Sequence, residues 1–182
     1  LSEHHLALLC TVAIIAIFAY INSRGASEAG LVGNVVTIAK VVILLTFVGF
    51  GLYAIVGNPS WTDNFSEGIL PNGIGGILVA MGMTFIAFEG YEIIAQSGEE
   101  VKDPTRNIPR AIFYSIIVVV TLYVLIAFVV IGAVVPPSGM AIWQYLGEAK
   151  EVAIVRAAEQ FMPIGGVLIL ISGLASTMSA LN

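Results

Sequence analysis

The sequence predicts an all-α integral membrane protein, and three observations carry that expectation. Hydrophobic residues make up 58% of the 182-residue chain and charged residues 10%, with a mean hydropathy of +0.99; soluble domains carry roughly 25% charged residues. The apolar residues gather into segments at 6–21, 31–56, 74–96, 111–135 and 162–182, most of them near the ~20 residues that cross about 30 Å of hydrocarbon as a helix. Within each segment the apolar character is continuous, whereas barrel strands would be about 10 residues long with alternating polar positions. A single transmembrane domain over 1–182, built as a helical bundle, follows.

The first segment, Leu6 to Ile21, is short. His4 and His5 at its start read as exposed polar residues, and the single cysteine, Cys10, reads as a small apolar filler with no disulfide partner or metal cluster. Leu1 to His5 shows neither a starting Met nor a basic leader, and no small-residue cleavage site follows, so the chain reads as an internal piece of something longer. The formal charge of −5 offers no basic patch for nucleic acid. No HExxH, CxxC or Ser/His/Asp constellation is present.

Between the segments, the positive residues set an orientation. Arg24 lies in the first connection, Lys102, Arg106 and Arg110 in the third, and Lys150 and Arg156 in the longer fourth; the second, Gly57 to Gly73, has none and carries Asp63 and Glu67. The positive-inside tendency places loops 22–30 and 97–110 in the cytoplasm and loops 57–73 and 136–161 outside a multi-pass cell-membrane protein. Trp61, Trp143 and Tyr145 then sit at the external interface, where amphipathic rings are usual, and receive no functional weight. Ala141 to Gln160 reads as a charged helix at the membrane surface, either a plain surface helix or a lid over an external entrance. Asn107 reads as the N-cap of the fourth apolar helix, with Pro109 in its first turn. Gly49, Gly51, Gly75, Gly76, Gly82, Gly165, Gly166 and Gly173 suit close helix packing.

Two places carry unexpected polarity. In the third segment, Ala87, Phe88, Glu89, Gly90, Tyr91 and Glu92 put two carboxylates either side of a glycine. Each carboxylate at mid-bilayer is disfavoured by roughly 2.5–3.5 kcal/mol on insertion scales, so a purely structural role is a poor explanation. A break there would expose backbone N–H and C=O groups and half-helix partial charges suited to a zwitterionic or charged solute; a continuous helix with both carboxylates facing a polar interior is the alternative. The second place is Lys40. Counted from Leu31 its Cα lies about 14 Å into the core, beyond the reach of its stem of about 6 Å. It pairs with a carboxylate or helix carbonyls, or the helix starts nearer to it, or it faces a cavity.

The stretch FIAFEGYE followed by GEEVKDPTRNIPRAI resembles the sixth-helix signature of the amino acid, polyamine and organocation (APC) transporter superfamily. INSRGASEAGLVGNVVTIAKVV resembles the connection from the fourth to the fifth helix of that family, and ILISGLASTMSALN its eighth helix. The resemblance covers nearly the whole chain as helices four to eight of an expected twelve. It implies part of an inverted-repeat, five-plus-five helix bundle whose sixth helix is broken. On that likeness Ala87, Phe88, Glu89 and Gly90 would line the substrate site and Glu92 would brace the unwound segment from behind. The family topology also puts the loop after the sixth helix inside the cell. In proton-coupled members a fifth-helix lysine stands where sodium-coupled relatives bind a cation, which would make Lys40 the coupling residue. Ser176, Thr177 and Ser179 would be the matching hydroxyls of the eighth helix. Ser176 is preferred, although hydroxyls in membrane helices more often bond their own backbone. A lysine that loses its proton in one conformation can link proton flow to transport.

The function expected from these residues is a permease, a secondary active transporter for an amino acid or related amine, coupled to protons and working by alternating access in the lipid bilayer, with no cofactor. A channel-like or structural membrane module without carrier activity is the alternative; a pore would favour rings of polar residues. A membrane enzyme using Glu89 and Glu92 lacks a nucleophile or metal set at suitable spacing.

Overall fold

A computed structural model describes residues 12, 16, 20, 26–59, 61–66, 70–87, 90, 94, 98 and 101–180, and the regular structure among them is entirely helical. Among the described residues the helices with full bounds are α1 (Ala26–Gly57), α2 (Asp63–Ser66), α3 (Gly73–Ala87), α4 (Pro104–Ala133), α5 (Ile142–Ala149), α6 (Ala153–Phe161) and α7 (Gly165–Ala180), with a 3₁₀ turn, Lys150–Val152, between α5 and α6. Two stretches, Gly33–Gly57 of α1 and the whole of α4, are long and apolar enough to cross a membrane, and Gly73–Phe85 and Gly165–Thr177 are shorter apolar stretches. Of the first apolar segment only Val12, Ala16 and Tyr20 are described, each helical.

The chain forms two compact units, Leu1–Phe50 with Glu151–Asn182, and Gly51–Lys150. In the first, α6 and α7 form a tight helical hairpin. The amide of Met162 donates to the Ala158 carbonyl at 2.9 Å and that of Gly165 to the Met162 carbonyl at 2.9 Å. Small residues make the turn possible: Ala157 and Ala158 are buried, and a Cβ on Gly165 would lie 2.6 Å from the Ala158 carbonyl oxygen. Ile164 holds φ 52 in this turn, a conformation that a β-branched residue adopts only under constraint from its surroundings. Phe47 of α1, fully buried, stacks obliquely on Phe161 with ring centroids 5.1 Å apart.

The second unit is organised around the end of α4. Its buried residues Ile126, Val129, Val130 and Ala133 recur at the three- and four-residue spacing of one helix face. Gly132 lies beside them, and a Cβ there would come within 2.9 Å of Ile55 Cδ1 and 3.3 Å of Phe65 Cε2. Against this end packs the short α2, whose Asn64 donates from Nδ2 to the Ile131 and Val134 carbonyls, both at 2.8 Å. Those carbonyls belong to a helix terminus, where no intrahelical donor remains. Trp61, Phe65 and Phe128 close the corner with ring centroids 5.3–6.0 Å apart, within the range of favourable aromatic pairs. Trp61, expected to be an interface ring without further role, is thus a packing residue.

Several expectations need correction. Asn107 is not the N-cap of α4. The helix begins at Pro104 with Asp103 as its cap at φ 48 and ψ 59. Pro104 is pre-organised for the first helical turn, and Asn107, inside that turn, donates from Nδ2 to the Lys102 carbonyl. Pro109 therefore falls within the helix. The surface helix expected over 141–160 is two helices, broken where Lys150 adopts φ 48 and ψ −126 and its N–H goes to the Leu146 carbonyl. Hydropathy carried no sign of this break, because Glu148, Lys150 and Glu151 are exposed on either side of it. Among the glycines expected at close contacts, Gly49, Gly75, Gly82 and Gly173 have no atom within 4 Å of a Cβ built on them, whereas Gly165 and Gly166 do close on α6, at 2.6 Å from the Ala158 carbonyl oxygen and 2.7 Å from the Glu159 side chain; Gly132, not singled out from the sequence, packs as closely on Ile55.

Candidate functional site

The apolar helix leading to the expected substrate site opens on Gly73, whose φ of 60 suits a residue without a Cβ. The amide of Gly76 then takes the Asn72 carbonyl at 3.1 Å. Met81, Met83 and Phe85 on this helix are exposed. Thr84, the one hydroxyl near its end, donates to the Ala80 carbonyl at 2.8 Å, so it satisfies itself within the helix.

The helix runs to Ala87, Gly90 lies in a turn and Ile94 is again helical. Phe88, Glu89 and Glu92 lie outside the described residues, and so does the side chain of Ala87. At Gly90 itself, which is exposed, an added Cβ would meet nothing within 4 Å.

Lys40 sits in the interior of α1, half-buried. The helix begins at Ala26, fourteen residues earlier, so a helix start near Lys40 is not the explanation of its position. Among the described residues it makes no hydrogen bond or ion pair, so the carboxylate or carbonyl partner entertained for it is not found there. On α7, Thr177 donates to the Gly173 carbonyl at 3.2 Å, the self-bonding expected of a membrane-helix hydroxyl. Ser176, its exposed neighbour, has no such bond, and no hydrogen bond joins it to Lys40 among the described residues. The side chain of Ser179 lies outside the described residues.

The residue that sequence reasoning passed over is Asn64. Its signal was present in the aromatic pair Trp61 and Phe65, four residues apart in a short polar loop, which marks a one-turn helix with a packed face.

The amino acid permease family model matches residues 2–182. The chain is 31% identical over 172 residues, 94% of its length, to the uncharacterized protein MJ0609 of Methanocaldococcus jannaschii, of which this covers 37%. It is 29% identical over 181 residues, 99% of its length, to the inner membrane transport protein YbaT of Escherichia coli, covering 39% of that protein. With the branched-chain amino acid permease BcaP of Bacillus subtilis it shares 28% identity over 122 residues, 66% of the chain and 25% of the relative. The chain therefore spans at most about two fifths of the length of these relatives.

Proposed function

The chain belongs to the amino acid permease family, within the APC superfamily, and from that membership we propose that it forms part of a secondary active transporter for an amino acid or related amine. The observation that carries the proposal is the family match along the whole chain; the printed names of YbaT and BcaP, a transport protein and a permease, support it.

Substrate binds where the third apolar helix is interrupted, against Ala87, Phe88, Glu89 and Gly90, with Glu92 holding the interrupted backbone. The helical state of Ala87 and the turn at Gly90 support an interruption there, and interrupted helices present the amides and carbonyls that take a solute's carboxylate and amino groups. Lys40, with Ser176, couples the movement to protons. A cation without a described partner in the interior of an apolar helix supports that role, because a charge there is costly to keep without use. Access alternates by rocking of one part of a five-plus-five bundle against the other.

Counterflow of radiolabelled amino acids by the full-length protein in liposomes tests the carrier reading. Accumulation of label against unlabelled amino acid inside the vesicle is the expected result. Label that only equilibrates, with rates that rise linearly with concentration, would mark a channel. Uptake driven by an imposed pH gradient and unaffected by a sodium gradient is expected of the parent; sodium-driven uptake at constant pH would sink the coupling assignment.

A further inference from the structure

The second compact unit contains a groove of about 650 Å³, lined by Asn72, Trp143, Gln144, Gly147, Glu148 and Lys150. Four of these residues come from α5. Trp143 and Gly147 are four residues apart, as are Gln144 and Glu148, so the four share one helix face, while Ile142 and Ala149 are buried. Asn72 comes from the turn that opens α3. The volume falls within the roughly 300–1,000 Å³ of small-molecule sites.

The chemistry of the lining is unusually complete. Glu148 and Lys150, both exposed, make no ion pair with each other or with any described residue. Gln144 has its Oε1 turned back to accept from the Ala141 amide at 3.3 Å, which leaves its amide N–H groups as donors. The exposed Trp143 supplies an aromatic surface, and Gly147 leaves the space beside it open, with nothing within 4 Å of an added Cβ. A purely anionic solute is repelled by Glu148 and a purely cationic one by Lys150. A zwitterion satisfies both.

We propose that this groove is an outer recognition site for zwitterionic α-amino acids. The carboxylate meets the Lys150 ammonium with the amides of Asn72 and Gln144, and the amino group meets the Glu148 carboxylate. An apolar side chain lies against the Trp143 ring, over Gly147. The inference rests on the carrier reading, for which the groove supplies a first stop on the external face.

The test uses the full-length protein in liposomes, with each protein L-amino acid supplied in turn as the radiolabelled probe. Glu148→Gln and Lys150→Gln each remove one charge, and Gly147→Leu fills the groove from a helix position where an added Cβ meets no neighbouring atom, with a better helix former. Each is expected to raise KM for entry from the external face about tenfold, the effect of one lost charge-assisted contact, while KM for entry from the opposite face is unchanged. Glu148→Asp and Lys150→Arg, which keep each charge in place, are expected to hold the external KM near that of the parent, a rescue by charge that a merely structural role would not require. A parent that shows counterflow, with variants that keep the parental external KM or shift it equally on both faces, overturns the groove alone. A parent with no counterflow of any probe overturns the carrier reading and the groove with it.

Discussion

Gly90 separates two requirements that are usually confounded, room for the protein and room for a solute. An added Cβ there meets no described atom within 4 Å, so the first atom of a larger side chain has room. Gly90→Leu is therefore expected to fold and insert like the parent, with an unchanged melting temperature in detergent, while affinity for the transported amino acid falls by at least about tenfold. Normal binding by that variant would move the substrate site elsewhere. Lys40 gives the complementary experiment. If the Lys40 ammonium carries the coupling, Lys40→Ala abolishes uptake driven by a pH gradient but leaves exchange of internal for external substrate measurable; pH-driven uptake at the parental rate would refute that role. Both positions stand out in the sequence for the same physical reason, since charge in an apolar run, on Lys40 itself or flanking Gly90, is expensive to keep without use. Which atoms surround them was not legible, because partners come from elements distant in sequence.

At the scale of elements, hydropathy located the helices well, and α1 and α4 enclose most of segments 31–56 and 111–135. It failed where backbone chemistry outweighs hydropathy. Pro104 starts α4 earlier than Asn107 suggested, and Lys150 divides an apparently continuous surface helix. The corner around Asn64 was hidden for a third reason, since its two acceptors lie 67 and 70 residues away. Its contribution can be measured. Asn64→Ala leaves the Ile131 and Val134 carbonyls without those donors, a loss of about 1–3 kcal/mol, and is expected to lower the melting temperature in detergent by several degrees. Asn64→Asp should be worse than Ala. An ionised carboxylate has no N–H to offer and would face two carbonyl oxygens. An Asp variant that melts above the Ala variant would show that these bonds do not hold the corner.

At the scale of the whole molecule, the question is which ends face which side of the membrane. Helix α4 answers it most directly. Its 30 residues extend about 45 Å, longer than the ~30 Å hydrocarbon core, so a crossing helix puts its two ends in different compartments. The start carries the exposed cations Lys102, Arg106 and Arg110, and the last turn carries no basic residue. On the positive-inside tendency the start is expected on the cytoplasmic side. Independently, Asn72 in the second connection and Trp143 to Lys150 in the fourth line one groove, which requires those two connections to share a side. Cysteines placed at Thr105 and at Ser138, both exposed, in a background without native cysteines, test the assignment with a membrane-impermeant maleimide. The Thr105→Cys protein should label only in inverted vesicles and the Ser138→Cys protein only in intact cells. Labelling of both from one face would mean that α4 does not cross, and the reverse pattern would turn the molecule over. Reversal would also place the groove in the cytoplasm, where an outer recognition site has no meaning.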